Sequence, residues 1–389
     1  MKLKDLIESN NTGLDAIKRA PIVDYDTGVR CLRIGDISNN RPFNEWGYTE
    51  VEDNNYNKFQ LKTGDIIVAR TGATIGVNKY IDKDYKSVYN NGLIRIRVKQ
   101  ENNPKYVYYL LQSTNYKNFI KTISMGTSTQ PNMQMNDLLN LEVPDFDKPK
   151  QDKIVKILGK IDDKIELNNE INNNLHELCN NMYFELVSQL DDSNSSSKQI
   201  KEVSKCVLGG TPSRAKREYW NGNINWINSG EVNKFRIIDA SEKITELGLQ
   251  KSSTALLPKG TTVLAITGAT LGQVSRLEID SCANQFVIGI IPNNIELNNY
   301  IYLSIFNTKN DLILKQTGGA QQHINKNDVE THEIIIPNDK LLKKFDERTR
   351  SVFDKISITC FENKRLEQLR DTLLPKLMNG EIDLDNIEI

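Results

Sequence analysis

The 389 residues carry 50 Lys and Arg against 51 Asp and Glu, a formal net charge of −1, and 38% are hydrophobic, enough for at least two domains with their own cores. A balance so close to zero neither points to nor excludes a nucleic-acid partner, because binding depends on where the basic groups sit. No apolar run reaches membrane-spanning length, Met1-Lys2-Leu3-Lys4-Asp5 lacks the apolar core of a signal peptide, and five scattered cysteines (Cys31, Cys179, Cys206, Cys282, Cys360) argue against a disulfide framework or zinc knuckle, so a reduced cytoplasm is the expected location.

In chain order, Asp65 to Arg70 and Leu93 to Val98 are short β-branched runs bounded by Gly or Asn, and both are predicted strands. Tyr106 to Gln112 suits a short helix, and Leu141 to Val143, ending at Pro144, suits a last strand. From Lys150 to Leu190 a heptad stripe runs through Ile157, Ile161, Ile171, Leu175, Leu178 and Met182. A helix of about forty residues is about 60 Å long, more than a compact domain needs, and reads as a spacer. Asp191 to Ser197 (DDSNSSS) reads as a flexible linker. Beyond it come predicted strands at Thr262 to Ile266, Phe286 to Ile291 and Glu333 to Ile336, a helical run at Asn299 to Phe306, and a second long helix from Asp339 to Leu377.

These elements come in pairs because the chain repeats itself. Gly64 to Gly76 (GDIIVARTGATIG) returns as Gly260 to Gly272 (GTTVLAITGATLG), an offset of 260 − 64 = 196. Leu32 to Ile37 returns as Ile227 to Val232, Tyr106-Val107-Tyr108 as Tyr300-Ile301-Tyr302, and Gln130 to Leu138 as Gln321 to Val329. The spacer repeats too: Ile157, Ile161, Asn168, Ile171 and Leu178 lie 195 residues before Val352, Ile356, Asn363, Leu366 and Leu373. The expected fold is therefore α+β, with two similar mixed α/β modules and two long antiparallel helices meeting along that seam. Its divisions are 1–149, a spacer helix 150–190, 191–338, and a helix with its tail 339–389, which together suggest a dumbbell. Asn168 and Asn363 fall at equivalent seam positions, where a buried Asn fixes register at some cost in stability; the plainer reading leaves them facing water.

Several chemistries fail on inspection. Gly72 to Lys79 lacks the four-residue gap and the Lys-Ser/Thr of a phosphate loop, and its second copy has no Lys. Pro144-Asp145 with Asp162-Asp163-Lys164 mimics a nuclease pattern, but the second element lies on the spacer helix instead of a strand. No methyltransferase loop or methyl-donor glycine fingerprint occurs. The three histidines, His176, His323 and His332, lack metal-ligand spacing, and His176 reads as a solvated helix residue. Arg95 and Arg97 read as the exposed positions of a strand. Neither catalysis nor a bound metal or cofactor is expected in this chain.

Recognition remains. The turns carrying Arg70, Thr71, Thr74, Thr267 and Thr270 read either as plain connections or as backbone open to phosphate oxygens. Polar loop residues recur in equivalent places: Thr127, Ser128, Gln130, Asn132 and Gln134 in the first half, Gln321, Gln322, His323 and Lys326 in the second. The second half adds a basic and aromatic loop with Thr211, Ser213, Arg214, Lys216 and Arg217 before Tyr219-Trp220. Gln, Asn and Arg can each bond two atoms of one base edge in the major groove, which makes these the candidate DNA-binding residues.

The run Leu369 to Ile382 (LRDTLLPKLMNGEI) resembles the ending of type I restriction-modification specificity subunits, and Gly209 to Ser213 (GGTPS) with Tyr219 to Gly222 resembles the start of one of their target recognition domains. The first half departs from this, beginning with Asn11-Thr12-Gly13. The resemblance covers essentially the whole chain. It implies a non-catalytic subunit binding double-stranded DNA, each module reading half of a split target. Two modification (methyltransferase) subunits would use S-adenosylmethionine, and restriction subunits ATP and Mg, with helix ends such as Leu373 to Met378 as docking places. A coiled-coil scaffold that never touches DNA is the alternative.

Overall fold

The glycine-bounded apolar runs form the centres of two sheets with the same topology. In a computed structural model that describes residues 1–125, 132–314 and 323–384, the chain divides into two compact units, Met1–Asp163 with Leu366–Ile389, and Lys164–Arg365.

In the first unit an antiparallel sheet runs in the order Ile7–Thr12, Leu93–Val98, Ile66–Ala69, Asn78–Tyr80. Its central strands, Ile66–Ala69 and most of Leu93–Val98, are buried on both faces, which explains why they read as continuous apolar runs. Ile66, Val68, Ile94 and Ile96 pack on Tyr106, Val107 and Leu110 of the helix Pro104–Leu110, and on Ile154, Leu158, Leu374 and Leu377 of the long helices. Ile67, Ala69 and Leu93 face the other way, onto Cys31, Leu32, Trp46, Val88 and Tyr89 of a second sheet ordered Ile22–Val23, Gly47–Thr49, Arg30–Leu32, Ser87–Tyr89.

The second unit repeats the plan. Ser204–Leu208, Val287–Pro292, Thr262–Ala265 and Val274–Arg276 take the same order, with Leu264, Ile288 and Ile290 on one core and Val263, Ala265 and Val287 on another. A three-stranded sheet of Glu242–Ile244, Trp220–Ile227 and Cys282–Ala283 stands where the first unit has its second sheet.

Both long helices form, Lys148–Val187 and Asp339–Met378. The first holds Gly159 in its interior, buried, and the second holds Pro375 one turn from its end. The buried line of the first helix is Ile154, Leu158, Ile161, Asn168, Asn172 and Cys179, steps of four and three with one place half-buried at Ile165 and another at Leu175. Ile161 and Asn168 therefore lie on the seam. Ile157 and Ile171 flank it half-buried, and Leu178 is 42% exposed because Cys179 takes the inward place. On the second helix Ile356 and Asn363 are buried, and Val352, Leu366 and Leu373 are half-buried flanks. The pairing is antiparallel within each unit: Arg370 meets Asp162 at 2.9 Å in the first, and Arg348 meets Glu185 at 3.2 Å in the second.

Four sequence expectations change. The last three residues of the polar linker open a strand, Ser195–Gln199, paired with Glu333–Pro337, whose unsatisfied edge it completes. Leu141 to Val143 makes only an isolated bridge, Lys2 with Glu142, because no neighbouring strand continues the pairing. Arg95 is buried, donating to Gln60 O at 3.0 Å, and Arg97 pairs with Asp65 at 2.7 Å, so the aliphatic stems pack and the heads hold a loop. His176 is half-buried among Phe235, Tyr302 and Phe306, and burial with the nearby Arg236 lowers it to about 4.

Candidate nucleic-acid interface

A strand that ends in Thr-Gly must reverse sharply, and the two glycine turns do so identically. Gly76 N–H returns to Ala69 O at 2.8 Å and Gly272 N–H to Ala265 O at 2.9 Å; Ile75 N–H reaches Gly72 O at 3.2 Å and Leu271 N–H reaches Gly268 O at 3.1 Å. Gly72 and Gly268 have φ of +82° and +65°, a region that costs any other residue strain, and a Cβ on either would meet nothing within 4 Å. The outer side of each turn is open.

Each turn is joined by the polar loop that the sequence placed far away. Thr71 bridges Asn132, with Met133 N–H on Arg70 O at 2.8 Å and the Arg70 guanidinium on Asn132 Oδ1 at 3.3 Å. In the second unit Thr267 bridges His323, with Ile324 N–H on Ile266 O at 3.0 Å. The start of each unit arrives at the same edge: Gly13 N–H bonds Leu93 O at 3.1 Å and Gly209 N–H bonds Val287 O at 3.0 Å. A Cβ at Gly13 or Gly209 would lie 2.3 or 2.1 Å from the carbonyl oxygen of Asn90 or Asn284, so only glycine permits this approach.

This edge brings together Arg70, Thr71, Thr74 and Asn132 in one unit, and Thr211, Thr267, Thr270 and His323 in the other. Gln134 stands exposed two residues on, where its backbone N–H caps onto Asp137, and Lys326 is exposed but paired with Glu330 at 3.2 Å. Arg214 is engaged internally: its guanidinium lies 3.7 Å over the Trp220 ring and grips Glu242, which lowers the Glu242 carboxyl and raises the guanidinium. Lys216 donates to Tyr219 Oη at 3.0 Å, while Ser213 and Arg217 are exposed along the same loop. Thr127, Ser128, Gln130, Gln321 and Gln322 lie outside the described residues.

Sequence reasoning missed one pair of corners here. Asn90-Asn91 and Asn284-Gln285 precede the strands Leu93–Val98 and Val287–Pro292, and Leu93 N–H to Asn90 O (3.1 Å) matches Val287 N–H to Asn284 O (3.2 Å). Asn91 and Gln285 are exposed. The repeat would have found them, had the offset been allowed to slip from 196 to 284 − 90 = 194.

A sequence model of the type I restriction modification DNA specificity domain matches residues 1–177 and again 193–369. The chain belongs to that family. Among relatives of the specificity subunit, that of the type I restriction enzyme HindI from Haemophilus influenzae is 23% identical over 433 residues, covering 90% of this chain and 94% of the relative. The MjaIX specificity subunit of Methanocaldococcus jannaschii is 24% identical over 319 residues, covering 77% and 73%. A crystal structure of the type I restriction-modification S subunit from M. genitalium shares the fold, with a TM-score of 0.55 and 17% identity over 97% of this chain and 95% of that one. As a type I specificity subunit the chain works with DNA and with the other subunits of its complex. Among the described residues no helix is long and apolar enough to cross a membrane.

Two further expectations meet the structure here. Asp162, the second element of the nuclease-like pattern, accepts from Tyr109 Oη at 2.5 Å and from Arg370, and so ties three helices together. Leu374, Leu377 and Met378 are buried in the first unit's core against Ile154 and Leu158, which withdraws Leu373 to Met378 as an open docking surface.

Proposed function

We propose that each unit of this specificity subunit reads one half of a bipartite duplex target through the edge built from its glycine turn, its opening strand and its polar loop. The observation that carries the reading is the recurrence of that edge, hydrogen bond for hydrogen bond, in two units of one chain. Hydroxyls and open backbone at the turns suit phosphate oxygens, which set orientation, and exposed amides suit base edges, which set sequence. The paired helices fix the gap, and their exposed apolar positions, Leu167, Leu178 and Ile358 in the second unit and Leu369 in the first, are left for modification subunits. Methylation with S-adenosylmethionine, and ATP- and Mg-dependent translocation and cutting, fall to the modification and restriction subunits, leaving this chain without a catalytic part, in a cytoplasmic complex.

The test is an exchange of residues 1–149 for the counterpart from another specificity subunit, followed by mapping methylated adenines in DNA modified by the assembled complex. One half of the target should change and the other persist. If both halves changed, or neither, the modular reading would fall, and a scaffold that binds no DNA would take its place if the complex modified DNA equally well without this chain.

A further inference from the structure

The two edges differ in one respect. Leu208 stands opposite Ile288 in the sheet, and Phe286, whose carbonyl accepts from Ile266 N–H at 3.0 Å, precedes Ile288 by two residues. Leu208 and Ile288 therefore share the face that carries Leu264 and Ile290 into the core, while Phe286 stands in the turn just before the strand. At the turn end of the sheet both reach past the core, Leu208 40% and Phe286 37% exposed. In the first unit the same backbone places are held by Thr12 and Gly92: Gly13 and Gly209 donate to equivalent carbonyls, as do Arg70 and Ile266. In the first unit Ile34 fills the space at Gly92, its Cδ1 2.6 Å from where a Cβ would stand, and no exposed apolar pair is present at this edge.

Beside the pair, Gln285 is exposed, and the Thr211 hydroxyl donates to its amide oxygen. That bond fixes the amide plane while leaving a second lone pair on the oxygen and both N–H groups of the nitrogen to bond elsewhere. An amide that offers a donor and an acceptor matches N6 and N7 of adenine, and an apolar surface beside it matches the 5-methyl group of thymine, the two marks an A·T pair displays in the major groove. We propose that the second unit reads an A·T pair, Gln285 bonding the adenine edge while Leu208 and Phe286 cover the thymine methyl, and that the first unit, with Asn91, Thr12 and Gly92 in these places, makes no such methyl contact. This rests on the DNA-reading assignment above.

The experiment selects duplexes from a random pool with the full chain in complex with its modification subunit. It then replaces thymine by deoxyuridine, which lacks only the methyl, in one half-site at a time. Uracil in the half read by the second unit should weaken binding about fivefold, the effect of removing one buried methyl, and uracil in the other half should leave it unchanged. The variant L208T/F286G, which installs the first unit's residues, should abolish the difference; should it fail to fold, L208T and F286N singly should each reduce it. Equal binding of thymine and uracil duplexes in both halves overturns the proposal, as does a difference that survives the variants. Phe286 would then be read as a wedge between base steps, checked by DNA bending. Enrichment of no sequence at all would instead remove the DNA-reading assignment itself.

Discussion

At the scale of single residues, the most informative contact joins a residue to its own repeat copy. Asn168 Nδ2 donates to Asn363 Oδ1 at 2.7 Å and to Glu362 at 3.0 Å, and Asn363 Nδ2 donates to Asn169 at 2.8 Å; Asn168 and Asn363 are 1% and 8% exposed. Asn168→Ala strands a buried amide and should cost about 1–3 kcal/mol in urea unfolding, whereas N168L/N363L removes both partners and should be near neutral in stability. The double variant should also loosen the preferred gap between half-sites, since polar seam residues specify register; an unchanged gap preference would remove the register role. A second buried group is peculiar to the second unit. The side chains of Arg236 and Glu278 are fully buried, Arg276 reaches Glu278 at 2.6 Å, and Arg236 Nη1 donates to Tyr302 Oη at 2.8 Å. Glu278→Gln leaves two buried guanidiniums without their anion and should lower stability by about 3–5 kcal/mol in the same assay. His176, lowered to about 4 by burial and by Arg236, is neutral in the folded chain. The unfolded chain takes up a proton near pH 6.5, so stability should fall as pH drops from about 6.5 towards 4, and melting curves of His176→Gln should lack that part of the decline.

At the scale of elements, the turn and the helix are governed by different constraints. Gly268 has positive φ and open space around it, so Gly268→Ala strains only the backbone, by about 1 kcal/mol. Its effect should appear in binding to the half-site read by the second unit, measured against an unaltered other half. Gly13 is held instead by closeness to a carbonyl, and there alanine forces the opening strand away from its neighbour. In the long helices a heptad pattern identifies a stripe but not its centre. Ile157, Ile171 and Leu178 share the spacing of the true seam and lie to one side of it, because a heptad spacing recurs on each line of a helix face and does not say which line turns inward. Ile161, Asn168, Ile356 and Asn363 fall on the centre line.

For the whole molecule, the prediction with most consequence concerns length. If the helices are the ruler between half-sites, inserting one heptad into both adds about 10 Å, and the gap mapped by methylation should lengthen by about three base pairs. A constant gap would show that the spacing is set elsewhere. Binding should also weaken steeply with salt, in proportion to the phosphates neutralised.

The repeat, the long helices and the central strands were all legible in the chain, because each is written in local periodicity or in self-similarity at a fixed offset. Arg214 shows where that legibility stops: its loop reads as a free basic segment, and only the fold lays its guanidinium on Trp220 and against Glu242. The meeting of Thr71 with Asn132, and of Thr267 with His323, likewise joins residues about sixty apart. Such contacts depend on the direction in which strands and turns deliver side chains, and nothing in the order of residues along the chain encodes that direction until the sheet has formed.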